Sequence, residues 1–263
     1  GLFWTPAITT QVALLLIGVA TIGLAHGAMD HRVGEILMRR RFGRLWPVPF
    51  TISYLTLGAL ALAGWVVTPA AALIVFLLYS AFHFGSDRSK ANGILQTVAR
   101  GATPLLLPIS FQPEKVSILF STITSTNFSV DEYVLASGIM ASIAVLVTIT
   151  SAIQRSEPVE GYETVLLVVL NLTSPPLVAF TVYFVLLHSV RHIIELAAWL
   201  EPKSLSKGFG RIARESLPLT ILLLASGVLG IAFLRVGNIE PTIVQAVFVG
   251  LSCLTVPHMA VTY

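Results

Sequence analysis

The chain of 263 residues is 55% hydrophobic and only 11% charged, against about 25% charged in soluble domains. That deficit runs the whole length with no polar linker, which excludes a water-soluble globular fold and leads us to expect a single lipid-embedded domain, 1–263. The one cysteine, Cys253, excludes an intramolecular disulfide and any CxxC metal site. The net charge of +3 does not point to a nucleic-acid partner, because the basic residues form short clusters between apolar runs, as membrane orientation requires.

A spanning helix needs about 20 mainly apolar residues. The first run is Ile8 to Ala25. It passes straight into His26 and Asp30, so it reads as structure and not as a secretory leader. Phe50 to Thr68 follows, ended by Pro69, and then Ala70 to Phe84. Residues 92–109 form a weaker run interrupted by Arg100, Gly101, Pro104 and Pro108. That pattern suits a broken or re-entrant helix, which lipid tolerates only where protein buries its backbone. Residues 110–132 are polar and rich in Ser and Thr, with some amphipathic character in the middle. Tyr133 to Ile153 and Tyr162 to Thr173 come next. Pro175 and Pro176 suit the first turn of a helix, which should run to about Leu200. Leu217 to Val236 and Thr242 to Val261 complete the set. The expected fold is an all-α polytopic bundle of eight or nine membrane segments without an internal repeat.

Short cytoplasmic loops concentrate Lys and Arg. The segment 27–48 holds Arg32, Arg39, Arg40, Arg41 and Arg44. If nine segments alternate, Arg88, Lys90, Arg155, Lys203, Lys207, Arg211 and Arg214 fall on the same side, which makes twelve of the sixteen basic residues. That sorting favours nine crossings over eight and makes this face cytoplasmic, in a cell membrane. Trp4, Trp46, Trp65 and Trp199 all fall at segment ends, where indole rings anchor at the interface.

Under this topology all six histidines lie at similar depth toward the inner face. Ionisable residues inside a membrane are costly and usually functional. Three local patterns carry most of the signal: His26-Gly-Ala-Met-Asp30-His31, Ser80-Ala-Phe-His83-Phe-Gly85 and His188-Ser-Val-Arg-His192. The i, i+4 spacing of the third puts two imidazoles on one helix face. A lone histidine on an apolar face is more often a hydrogen-bonded core residue, so the argument rests on three motifs at matched depth. His26, His83, His188 and His192 are the expected metal ligands. His31 and His258 either bind directly or support the site; His258 follows Pro257 and would otherwise cap a broken helix. Asp30 and Glu195 are the nearby carboxylates. They would hold a ligand's other nitrogen or pair with Arg32 or Arg191. Imidazole suits zinc, copper, iron and nickel, and the His-Glu-x-x-His signature of zinc peptidases is absent.

At these motifs, together with Pro257-His258-Met, the chain resembles the Brp/Blh family of membrane-bound β-carotene 15,15′-dioxygenases of bacteria and archaea. The motifs occur in family order and span residues 26 to 259. The resemblance implies a polytopic helical enzyme that uses non-haem Fe(II) and O₂ to cleave β-carotene centrally into two retinals, which serve microbial rhodopsins. It also implies His26, His83, His188 and His192 as iron ligands. The family commonly has tyrosine before the second-motif histidine; here the residue is Phe82. A bilayer-soluble polyene offers no hydrogen bonds, so its tunnel should be apolar and aromatic. Phe82, Phe84, Tyr183, Phe184 and Trp199 are the candidates beside the histidines. Two other readings use the same histidines. A metal-ion or proton transporter would place polar groups along a path through the bilayer, but the outer halves of these helices are almost featureless. A di-iron lipid hydroxylase or desaturase usually adds tandem His-His pairs, and none occurs here.

Overall fold

The computed structural model describes residues 5–86, 93–233 and 239–262, without the side chains of His26 and residues 230–233. The described elements are helical, with no strand among them. In chain order they are α1 (Ile8–Gly18), a π-helical turn Val19–Gly23, α2 (Leu24–Gly27), α3 (Asp30–Phe42), α4 (Pro47–Val67), α5 (Pro69–Ser86), α6 (Ile94–Phe111) and α7 (Pro113–Thr124). Then follow α8 (Val134–Gln154), α9 (Pro158–Thr173), α10 (Pro176–Val182), a π-helix Tyr183–Ser189, α11 (Val190–Leu200), α12 (Leu205–Phe233) and α13 (Ile239–Thr262).

Six helical stretches among the described residues are long and apolar enough to cross a membrane: Pro47–Val67, Pro69–Ser86, Asp131–Gln154, Pro176–Leu200, Leu205–Leu229 and Ile239–Thr262, with Ile8–Gly23 as a shorter apolar helix. Side chains such as Leu55, Val66, Leu78, Leu135 and Leu222 are exposed along them. So much outward apolar surface is stable against lipid and not against water. Three of the nine expected segments are not among these six: Ile8 to Ala25 is present only as the shorter apolar helix, and α6 and α9 fall outside the set. α6 carries Arg100 and two internal prolines. α9 has 16 residues, about 24 Å at 1.5 Å per residue, short of a hydrocarbon core of about 30 Å. Trp65 lies in the last turn of α4, with its ring buried in protein; Trp4 lies outside the described residues.

The helices group into two compact units. One comprises Gly1–Gln11 and Pro69–Tyr183, the other Val12–Thr68 and Phe184–Tyr263. In the first, α5 buries Leu73, Phe76, Ser80, His83, Phe84 and Gly85 along one face. α6 lies directly on that face: a Cβ on Gly85 would collide with the Thr97 carbonyl, and one on Gly101 with the Ala81 carbonyl. Without hydrophobic drive between helices in lipid, such small residues let backbones close to van der Waals contact. Arg100 donates from Nε to Glu160 Oε1 at 2.6 Å and from Nη1 to the Gly85 carbonyl at 3.2 Å. This buried ion pair ties α6 to α9 beside the end of α5. Polar side chains inside the helices mostly satisfy themselves locally: Thr103, Thr148, Thr164 and Thr181 each donate to the carbonyl four residues back, as a dry environment demands.

The polar stretch 110–132 is more ordered than its composition implied. Pro113 starts α7, and its serines hold the following loop: Phe128 N donates to Ser121 Oγ at 3.0 Å and Val130 N to Ser117 Oγ at 3.1 Å.

In the second unit α4 packs on α13, and α11 on α12. Gly208 is the contact point of the latter pair, where a Cβ would strike the Ala197 carbonyl. Met29, Ala197 and Ile212 form a buried cluster, flanked by Ile193, Leu196 and Leu200. The polar end of this unit is a charge network. Arg32 grips Glu215 in a fork, Nε to Oε2 at 2.7 Å and Nη2 to Oε1 at 2.8 Å, and Arg211 joins the same carboxylate at 3.0 Å. The hydrogen bonds that Arg32 donates to Glu215 hold the pKa of its guanidinium above the ordinary range. α12 starts at Leu205, well before the apolar run at Leu217, and its polar turns are tied to Arg32 and Glu201 from outside the helix.

Candidate active site

Both π segments stand next to histidine motifs. Val19–Gly23 leads into α2, which carries His26, and Tyr183–Ser189 contains His188. A π segment inserts an extra residue into the helix at a cost in stability, and such segments occur often at functional sites. The His26 side chain lies outside the described residues. His188 is buried and stacks with Phe184, ring centres 5.5 Å apart and planes 26° apart. His192 follows within α11, half-buried. The two lie on one continuous helical stretch, Pro176–Leu200, with His188 in its π-helical part and His192 in the α-helix that follows.

Asp30 is the first residue of α3, where the helix dipole favours an acid. Its side chain is buried, and both carboxylate oxygens are used. Tyr54 Oη donates to Oδ2 at 2.8 Å, and His258 Nδ1 lies 2.7 Å from Oδ1. A buried carboxylate is tolerable only with such partners. Asp30 therefore does not take Arg32, as one expectation had it, because Arg32 is committed to Glu215 and Glu35. The His258 ring meets His192 edge-on, with centres 5.6 Å apart and planes at 76°. Thus Asp30, Tyr54, His192 and His258 converge from α3, α4, α11 and α13.

Two cavities of the second unit meet at this group. The larger, about 300 Å³, is lined by Asp30, Tyr54 and His258 at its polar end and otherwise chiefly by apolar side chains, among them Phe50, Phe184, Leu222 and Leu251. The smaller, about 200 Å³, is bounded by Asp30, His192, Glu195, Trp199 and His258. Glu195 and Trp199 sit at its outer edge; Trp199 is 51% exposed. His31 is turned toward its own backbone: Nδ1 donates to the Ala28 carbonyl at 3.0 Å, and Nε2 lies 3.7 Å from Glu215 Oε2.

In the first unit, His83 is buried beside Phe84, ring centres 6.0 Å apart, and Phe84 packs edge-on against Tyr183 at 5.1 Å. Phe82 is 42% exposed, off the buried face of α5, a position suited to lipid contact. Among the described residues, no three His, Cys, Asp or Glu side chains form a ready metal cage. Tyr54 is the member of the site that sequence reasoning missed. It is one tyrosine within an apolar run, and only its contact with a residue 24 positions away marks it.

The sequence model of the family described as beta-carotene 15,15'-dioxygenase matches residues 17–263. This span includes all six histidines. The chain belongs to that family. It is 30% identical to the beta-carotene 15,15'-dioxygenase of an uncultured marine bacterium, over 92% of this chain and 89% of that protein. It is 26% identical to the probable beta-carotene 15,15'-dioxygenase Blh of Halobacterium salinarum, over 96% of this chain and 84% of the relative. No solved structure matches the chain. Because family membership covers nearly the whole length, the histidine motifs, the Asp30 group and the apolar cavity all fall within the part this chain shares with the family.

Proposed function

We propose that this member of the dioxygenase family cleaves the central 15,15′ double bond of β-carotene with O₂. One C=C bond breaks and two C=O bonds form, so that one C₄₀ polyene and one O₂ give two molecules of all-trans-retinal. The observation that carries the reading is the match to relatives bearing that activity in their names, along almost the full length of both chains.

The resident cofactor in this reading is a non-haem Fe(II), and its ligands are His26, His83, His188 and His192. Support comes from the donor chemistry. Imidazole is a good ligand for iron, and His83 and His188 are buried, each beside a phenylalanine ring. The membership of His26 and His83 rests on the sequence motifs. When bound, the iron supplies the activation of O₂ that a closed-shell polyene needs. The remaining task of the protein is positioning, which is where such an enzyme contributes most. Phe184 holds the His188 ring by stacking. The apolar wall of the 300 Å³ cavity, at the small end of ligand pockets, excludes water and receives hydrocarbon, while Asp30 and Tyr54 hold the polar end rigid.

Substrate and product both partition into lipid, so the enzyme works from within a cell membrane. The basic-residue count supports nine segments, with the histidines toward the cytoplasm, and retinal passing to a microbial rhodopsin. The test is retinal formation in a β-carotene-producing cell. Cells with the protein should accumulate retinal, and a folded His188→Ala variant should not. Full-rate retinal production by that variant would refute the assigned site.

A further inference from the structure

We infer that His258, on the last helix, is an additional metal donor, held in place by Asp30 and Tyr54; this rests on the iron reading above. The first ground is the carboxylate. A ligating histidine nearly always gives its second ring nitrogen to a carboxylate or carbonyl, which fixes the ring and raises its basicity. His258 has that arrangement: Nδ1 lies 2.7 Å from Asp30 Oδ1, both groups are buried, and Tyr54 pins the other oxygen at 2.8 Å. In the neutral ring, a proton on Nδ1 leaves the lone pair on Nε2.

The second ground is spacing. An imidazole bound through nitrogen at about 2.1 Å has its ring centre about 3.2 Å from the ion, so two ligands of one ion at about 110–120° stand roughly 5.3–5.6 Å apart. The centres of His192 and His258 are 5.6 Å apart. Four elements spend a buried acid, a tyrosine hydroxyl and two imidazoles on this spot, and His258 lines both cavities. A histidine that merely capped a helix broken at Pro257 would not need this. α13 in fact continues through Pro257 to Thr262.

The experiment is Co(II) titration of the purified, metal-free protein in detergent, read by visible ligand-field absorption. This reports the donor set without any turnover. The wild type should develop a band, and His188→Ala should lose it. His258→Gln should weaken Co(II) binding at least tenfold and shift the band, because a ligand is lost. Asp30→Asn should weaken binding about 10–100-fold, the usual effect of removing a ligand's carboxylate partner. Tyr54→Phe should act in the same direction but less. A wild type that binds no Co(II) would sink the metal reading itself. A wild type that binds, with His258→Gln equal to it in affinity and band position, would overturn the inference and leave that reading standing. If His258→Gln yields no folded protein, Asp30→Asn decides: unchanged binding and spectrum overturn the inference.

Discussion

Replacing Glu160 by alanine removes the carboxylate partner of the Arg100 guanidinium inside the first unit. Glu160 is only 3% exposed and receives Arg100 Nε at 2.6 Å. Removing one partner of a buried pair costs about 3–5 kcal/mol. Arg100 keeps its bond to the Gly85 carbonyl at 3.2 Å, which places the loss near about 3 kcal/mol, since a charged hydrogen bond retains part of the stabilisation. At roughly 2–4 °C per kcal/mol for a chain of this size, the melting temperature should fall by about 6–12 °C. The assay is thermal unfolding in detergent followed by far-ultraviolet circular dichroism. The double variant Arg100→Met with Glu160→Leu removes both charges and should recover to within about 1–2 kcal/mol of the wild type. A single variant that melts within about 2 °C of the wild type, or a double variant no better than the single, would refute the argument that the pair is dry and mutually dependent.

Other consequences can be checked with the same preparations. Phe84→Ala removes a buried ring that packs edge-on against Tyr183 and should cost about 3–5 kcal/mol, whereas Phe82→Ala, at an exposed position, should stay within about 0.5 kcal/mol; equal melting shifts would contradict the assignment of the α5 faces. Gly101→Val forces a side chain onto the Ala81 carbonyl and should destabilise by at least about 1–3 kcal/mol, seen as early melting with Gly138→Val, in open space, as the control. Stripping the metal with a chelator should lower the melting temperature, and Fe(II) at a hundredfold excess over its dissociation constant should restore about 2.7 kcal/mol; no shift on either step would count against a structural role for metal binding.

The apolar core of each long helix was legible in the sequence because lipid demands long uninterrupted runs. Helix ends were not. α12 begins at Leu205, and its Glu215 takes Arg32 from 183 positions away, a partner that no local pattern shows, beside the i, i+4 partner Arg211. α7 hid in a Ser- and Thr-rich stretch, since its serines serve the backbone of the following loop, a role that composition does not show. Neither π segment has a distinctive composition: Val-Ala-Thr-Ile-Gly and Tyr-Phe-Val-Leu-Leu-His-Ser would equally suit an α-helix. At the site, Asp30, His192 and His258 could be marked as unusual for a membrane interior, but their association could not. Asp30 and His258 are 228 residues apart, and the competing partner Arg32 is two residues from Asp30 in sequence. Only the fold shows that Arg32 turns the other way. Tyr54 and the two cavities are tertiary features throughout.

The most direct measurement is the reaction itself: purified protein, Fe(II), O₂ and β-carotene, with chromatographic quantification of every product. The account predicts two all-trans-retinals per β-carotene consumed and none without iron. Unequal apocarotenal fragments, a hydroxylated intact C₄₀ product or unconsumed β-carotene would contradict it.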